Sequence, residues 1–300
     1  MPEQPLRVGL MMDANPSGRR DPGYDAVRAE HLTYDLLMVH PDHPSASGTR
    51  GSGPTDEMWT MLTWMAARTE RILLSPAVLS LPYRPPPVVA KMAETLDRLS
   101  GHRLVLALGS GGDDEAFRAF GLPVLRPSAQ VAALDEAIAI IRSLWSRDRT
   151  SRAGQYQHLD QARINPRPQG PIPIWVGGYG DRMLDLVGRT ADGWLPTTNA
   201  LSPSESAFSV QRIRRAAEGA GRDPDSLTFA YVVRVYVTSK RSGSAAVSPN
   251  TISGHPAFIV DELTKLIDKR FSTLVLWPDK DHEQQRELLA EHVVSPLRAR

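Results

Sequence analysis

Three residues able to exchange a proton stand close together early in the chain, in Val39-His40-Pro41-Asp42-His43. An imidazole titrates near neutral pH, so either histidine suits general acid or base chemistry. His43 ranks ahead of His40, because Pro41 can turn His40 away from a site. The two histidines lack a partner carboxylate cluster at a recognisable metal-ligand spacing, so no metal site is read here. Further along stand two glycine turns, Gly109-Ser110-Gly111-Gly112-Asp113-Asp114 and Gly177-Gly178-Tyr179-Gly180. Backbone N–H groups in such turns can close on a phosphate, since no Cβ blocks the approach. The first turn is not a dinucleotide fingerprint, because Asp114 occupies the third glycine's place. With Thr197 and Thr198, the turns point to a phosphate or a large flat cofactor. Asp13 and Trp277 close the first and last apolar runs and are placed to touch a substrate or ring. The chain has no clear catalytic triad and no Gly-x-Ser-x-Gly elbow.

These residues sit where apolar runs end, so the runs must position them. Strands are expected at Arg7–Met12, Leu36–Val39, Ile72–Leu79, Leu104–Leu108, Ile172–Val176, Gly193–Pro196, Thr228–Thr238 and Thr273–Trp277. Most are short and apolar, as parallel strands covered on both faces should be. Helical patterns fall between them, near 24–33, 57–69, 86–99, 129–145, 182–189, 203–219, 256–269 and 282–293. Ser128 is a candidate cap for the fourth, and Pro203 and Pro256 suit first-turn positions. Strand alternating with helix eight times predicts an α/β fold, a (β/α)8 barrel over residues 1–300 as one domain. Two loops interrupt the repeat, near 146–170 and 239–254. The first leaves a helix and should decorate the barrel bottom. The second leaves a strand's C-terminal end, where a lid or a disordered segment is expected.

Composition narrows the function classes. The 300 residues are 41% hydrophobic and 23% charged, with a net charge of +1. That charge gives no electrostatic case for nucleic acid or an anionic membrane. Cysteine is absent, which excludes disulfides, thiolate metal sites and a cysteine nucleophile. The N-terminus shows no signal-peptide pattern and no apolar run approaches the roughly 18 residues of a membrane span. A cytoplasmic enzyme acting on a small molecule is expected.

Several motifs, taken in order, resemble the bacterial luciferase-like monooxygenase superfamily, notably its deazaflavin (F420)-dependent oxidoreductase branch. They are Met65-Ala66-Ala67-Arg68-Thr69-Glu70-Arg71-Ile72, the run Pro87 to Leu99, Ser100-Gly101-His102-Arg103 and Leu106-Ala107-Leu108-Gly109-Ser110-Gly111. Pro173-Ile174-Trp175-Val176-Gly177-Gly178, Ala191-Asp192-Gly193-Trp194 and Val293-Val294-Ser295-Pro296-Leu297-Arg298 continue the series. The resemblance implies a luciferase-like barrel holding F420, or alternatively FMN, at the strand C-termini. It implies a bulge at Ala77-Val78, often a non-prolyl cis peptide, behind the cofactor ring. By the same resemblance Gly109, Gly111, Gly177 and Gly178 give backbone contacts to ring or phosphate tail, and Thr197 gives a hydroxyl contact. The acid–base group is His40, Asp42 or His43, because this chain's second strand ends differently from the family's Asp-His. Gly112 and Ala200 stand near the places of a glutamate and a lysine in the sugar-phosphate dehydrogenases, which disfavours such a substrate. The resemblance also implies a homodimer. Three readings follow: F420-dependent hydride transfer to or from a small organic substrate; an FMN-dependent monooxygenase using O2 and a flavin reductase; or a non-catalytic flavin- or ligand-binding barrel.

Overall fold

The computed structural model describes residues 5–13, 21–40, 56–111, 114–197, 201–238 and 250–299. Its strands are β1 (Arg7–Asp13), β2 (Leu36–His40), β3 (Leu73–Pro76), β4 (Leu79–Ser80), β5 (Leu106–Gly109), β6 (Thr150–Ala153), β7 (His158–Ala162), β8 (Ile174–Val176), β9 (Gly193–Trp194), β10 (Thr228–Val237), β11 (Ile252–Gly254) and β12 (Thr273–Pro278). The helices are α1 (Pro22–His31), α2 (Met58–Arg68), α3 (Pro86–Leu99), α4 (Asp114–Ala119), α5 (Pro127–Ser146), α6 (Asp181–Thr190), α7 (Pro203–Gly219), α8 (Pro256–Ile267), α9 (His282–Leu289) and α10 (Ser295–Arg298).

All pairings in the main sheet are parallel, in the order β3-β2-β1-β12-β10-β9-β8-β5-β4. The sequence predicts one unbroken third strand over Ile72–Leu79. Instead the chain bulges at Ala77-Val78, whose peptide bond is cis, and the strand is cut into β3 and β4. Leu74 bridges to Leu104 while β4 pairs with β5, so the two halves together close the ring. The result is the expected (β/α)8 barrel.

Alternation along the strands divides the apolar residues into two cores. Outward residues such as Val8, Leu10, Leu37, Leu106 and Leu274 pack under the helices. Inward residues fill the barrel: Met11, Leu36, Met38, Val105, Ala107, Trp175, Leu195, Ala230, Val232, Val275 and Trp277. On α3, Val89, Ala90, Ala93 and Leu96 form the buried stripe. Each large apolar side chain so buried contributes about 1.5–3 kcal/mol.

Local chemistry fixes the helix starts. Asp21 accepts from Gly23 N at 2.8 Å and Glu57 from Trp59 N and Thr60 N. Ser202 and Glu205 form a capping box on α7, and Pro203 and Pro256 occupy first turns as expected. The cap expected of Ser128 is not made: α5 begins two residues earlier than expected, at Pro127, with Arg126 at the cap and no side-chain bond. Pro127 is pre-set for the first helical position, and that sets the start.

The loop expected over 146–170 contains the antiparallel hairpin β6–β7. Glu136 on α5 anchors its turn by accepting from Gln155, Tyr156 and Gln157 N. The end of the loop expected over 239–254 is also a strand, β11, which adds to β10. Residues 239–249, and with them most of the expected lid, lie outside the described residues. The short helix α4 was not expected. The last helix continues past Val293 through a π-turn at Ala290–Val294 into α10.

Glu30 on α1 shows how one carboxylate can staple a connection. It accepts from Glu70 N, Arg71 N and Ile72 N, the last two at 2.6 and 2.8 Å, and so ties α1 to the turn entering β3. Burial works against the anion, but the three N–H donors outweigh it and lower its pKa below the usual 4.5. The stability this gives is complete above the unfolded carboxylate pKa and is lost as pH falls through the lowered folded value. Glu30→Gln should therefore destabilise the protein by about 1–2 kcal/mol at pH 7. The deficit should shrink towards zero as pH falls through that lowered folded value, because the wild-type carboxylate is then protonated as well. Urea melts at pH 7 and at a series of pH values below the ordinary carboxylate range would read this; a deficit that does not change with pH would refute it.

Candidate active site

Two residues beyond each barrel-filling side chain, the inward face reaches the C-terminal mouth. Alternation places Asp13 there after Met11, His40 after Met38, Gly109 after Ala107, Gly177 after Trp175, Thr197 after Leu195 and Arg234 after Val232. Trp277 itself forms the top of the inner core. Asp13 and His40 are directly opposite each other in the β1–β2 register.

The mouth has two differently built halves. On the β4–β5–β8 side the surface is small and apolar. A Cβ at Gly109 would lie 2.6 Å from Val78 Cγ2, and one at Gly177 would lie 2.9 Å from Val78 Cγ1. These two glycines therefore form a notch that receives Val78 from the bulge. Ser80, opposite Gly109, turns a buried hydroxyl to the same side with no hydrogen-bond partner among the described residues. Gly111, at φ +127°, and Gly178 face helix side chains instead, Phe117 and Met183 respectively. Gly178 O accepts from Trp194 Nε1 at 3.1 Å.

On the β1–β2–β12–β10 side the mouth is polar and aromatic. The rings of His40 and Trp277 lie 4.6 Å apart, centroid to centroid. Pro41 thus does not carry His40 away from the site. The Arg234 guanidinium lies 3.8 Å from the Trp277 ring centroid and reaches Asp279 at 3.2 Å. Asp13 meets His282 Nε2 at 3.4 Å. Between the two halves, the Tyr179 hydroxyl accepts from Thr197 N at 3.1 Å and lies 3.2 Å from Thr197 Oγ1. Burial pushes the Tyr179 pKa up, against the effect of its bonds to Thr197.

Asp13, His40 and Trp277 are therefore brought together, and so are Ala77, Val78, Gly109 and Gly177, while Thr197 pairs with Tyr179. Asp42, His43, Gly112, Thr198 and Ala200 lie outside the described residues. Sequence reasoning missed Arg234 and His282, and gave no role to Ser80 or to Tyr179 within its glycine turn. Arg234 had a signal: it is the one charged residue in Thr228–Val237, at an inward position. A cleft of about 610 Å³ opens at the opposite end of the barrel, lined in part by Arg7, Val105, Trp175 and Thr228. Its carboxylate, Asp192, is committed to Ile174 N and Arg142, so acid–base chemistry is better served at the mouth. Among the described residues no cluster could hold a metal ion, and no helix is long and apolar enough to cross a membrane.

The parallel barrel, with an apolar notch at Val78 and the His40–Trp277 pair at its mouth, defines the class as a (β/α)8 barrel. The chain belongs to the luciferase-like monooxygenase family, whose sequence model matches residues 17–292. It is 30% identical over 222 residues to an F420-dependent glucose-6-phosphate dehydrogenase of Kineococcus radiotolerans, covering 73% of this chain and 64% of that one. It is 37% identical over 189 residues to the phthiodiolone/phenolphthiodiolone dimycocerosates ketoreductase of Mycobacterium tuberculosis, covering 61% of this chain and 48% of that one. The chain thus spans from about half to two thirds of these relatives' length. An F420-dependent secondary alcohol dehydrogenase, solved with an F420-acetone adduct, shares the fold at a TM-score of 0.86 and 17% identity, over 98% of this chain and 99% of that one.

Proposed function

We propose that the protein is an F420-dependent oxidoreductase that moves a hydride between the deazaflavin and a small organic substrate, converting a carbonyl to an alcohol or the reverse. The observation that carries this reading is the Val78 platform, seated in the Gly109–Gly177 notch of a mouth that also carries the His40–Trp277 pair. A flat ring fits such an apolar floor, and the partnerless Ser80 hydroxyl beside it offers a polar contact at its edge. Ala77, Val78, Gly109, Gly177 and Thr197 would hold the cofactor, with Gly111 and Gly178 shaping the turns beneath its tail. When bound, F420 supplies the hydride donor or acceptor.

The chain's own work is orientation and proton transfer. His40 gives a proton to the nascent alkoxide oxygen, or takes one from the alcohol. Trp277 walls the substrate pocket, and Asp13 holds the far side of the mouth together with His282. Asp42 and His43 follow His40 in sequence and complete the set of acid–base candidates. The substrate class agrees with the relatives named as a ketoreductase and an alcohol dehydrogenase. A sugar phosphate is disfavoured by Gly112 and Ala200. A homodimer is part of the proposal: a largely apolar cleft of about 710 Å³ between α2, α3 and residues 162–165 is lined in part by the exposed Val88 and Leu99.

Titration of the purified apo-protein with F420 and, separately, FMN tests the cofactor assignment through ring fluorescence. Tight F420 binding with weak FMN binding is the expected result. The reverse preference would overturn it and move the search to oxygen-consuming reactions with a flavin reductase, in keeping with the family's name.

A further inference from the structure

Arg234 is a charged side chain at an inward position of an otherwise apolar strand, and its side chain is only 19% exposed. Its guanidinium lies flat enough on Trp277 to place the carbon 3.8 Å from the ring centroid, well inside the range of a cation–π contact. The same indole meets the His40 ring at 4.6 Å with a 34° tilt. One tryptophan thus joins a permanent cation to the residue taken as the acid–base group. Arg234 is anchored in turn by Asp279, whose carboxylate is 5% exposed and also accepts from the Thr251 hydroxyl at 3.3 Å.

We propose that Arg234 is a positioning residue that acts on His40 through Trp277, fixing the indole against the imidazole and favouring the neutral imidazole over the imidazolium. The proposal rests on the reading of His40 as the acid–base group. Two physical effects support the direction. The negative face of the indole is already engaged by the guanidinium, so it has less to offer a second cation. Two positive charges separated by about one ring in a partly desolvated mouth also repel. Among the described residues, Asp13, Asp279 and His282 are the other charged or titratable groups placed at this side of the mouth, and Asp42 and His43 follow His40 in the chain outside them. β1 supplies Asp13, which favours the imidazolium but is shared with His282 from α9. Asp279, beyond β12, is closest to Arg234 and moderates its charge. On the β3 side, Ser75 and Pro76 pair with Met38 and Val39, and the apolar Ala77 follows them, its N–H donating to Val39 O.

The test uses apo-protein and needs neither cofactor nor substrate. The His40 ring signals are followed by histidine-selective NMR against pH, assigned by their loss in His40→Gln. In Arg234→Met the His40 midpoint should rise by roughly half a unit or more relative to wild type. Because that variant leaves Asp279 without its arginine, and that anion also favours the imidazolium, Arg234→Met/Asp279→Asn removes the pair together and should show a smaller rise of the same sign. Arg234→Lys restores charge without the flat fork and should return the midpoint at least halfway. A midpoint unmoved in both the single and the double variant would overturn the proposal. So would a rise that Arg234→Lys fails to reverse at all. In F420-loaded protein, Arg234→Met should lower kcat with little change in KM, and move the acidic limb of the pH profile upward. If F420 does not bind, the functional reading fails while the apo titration still decides the role of Arg234.

Discussion

His40→Ala is expected to lower kcat by roughly 10²–10⁴-fold while leaving affinity for F420 unchanged. That loss corresponds to about 3–5 kcal/mol of transition-state stabilisation. The reasoning is positional. His40 is the last residue of β2, opposite Asp13 in register, and its ring is held against Trp277 inside the mouth. Loss of the imidazole removes the proposed proton donor but none of the groups on the Val78–Gly109–Gly177 platform. Binding and chemistry should therefore separate. His43→Ala, compared in parallel, should retain most of the activity if His40 alone handles the proton. The measurement is the rate of F420 oxidation or reduction with the substrate, beside fluorescence titration of each variant. Retention of more than a tenth of wild-type kcat by His40→Ala would remove His40 from the mechanism. Loss of both cofactor binding and turnover would assign it a binding role instead.

Much of the barrel was legible because parallel strands buried on both faces must be apolar and the helices between them must carry periodic apolar faces. Two features hid what remained. The polar hairpin β6–β7 carries Arg152, His158, Asp160 and Gln161 and buries little more than Leu159 and Thr150, so no apolar alternation announces it. β11 is three residues, too short for any period to show. In the site, a glycine in sequence says only that a Cβ is unwelcome. It does not say what takes the space. At Gly109 and Gly177 the occupant is Val78, far away in sequence. The place of His40 at the mouth depends on the pairing of β2 with β1, and pairing is a tertiary fact. Arg234 could have been found by carrying the in–out alternation through β10 and asking which side the charge falls on.

Arg103→Met is expected to cost about 3–5 kcal/mol of stability and lower the melting temperature by roughly 5–15 °C. Arg103 is buried, and each of its five N–H groups has a partner. Nε donates to Ser100 O, Nη1 to Thr69 Oγ1 and Ile72 O, and Nη2 to Ala66 O and Thr69 O, all between 2.5 and 2.9 Å. Those carbonyls include the open end of α2 and the entry to β3, which no helix or strand partner satisfies. Methionine matches the length of the side chain but strands them. Burial lowers the arginine's pKa, while Glu30 and Glu70 oppose the shift. The turn that delivers Arg103 is itself specified: His102 adopts φ +66° and is held there by Asp97, 2.8 Å from its Nδ1. This explains how a histidine can occupy a place where a glycine would be easier. Arg103→Lys should fall between wild type and Arg103→Met, since an ammonium offers three donors and no planar fork. Arg103 sits just before β5 and far along that strand from Gly109, so the damage should be to stability and not to chemistry. At low temperature kcat should stay near wild type in the folded fraction. Thermal melts followed by circular dichroism, beside rates at 10 °C or so, decide it: a melting point within about 2 °C of wild type would mean the network is worth no more than a surface contact.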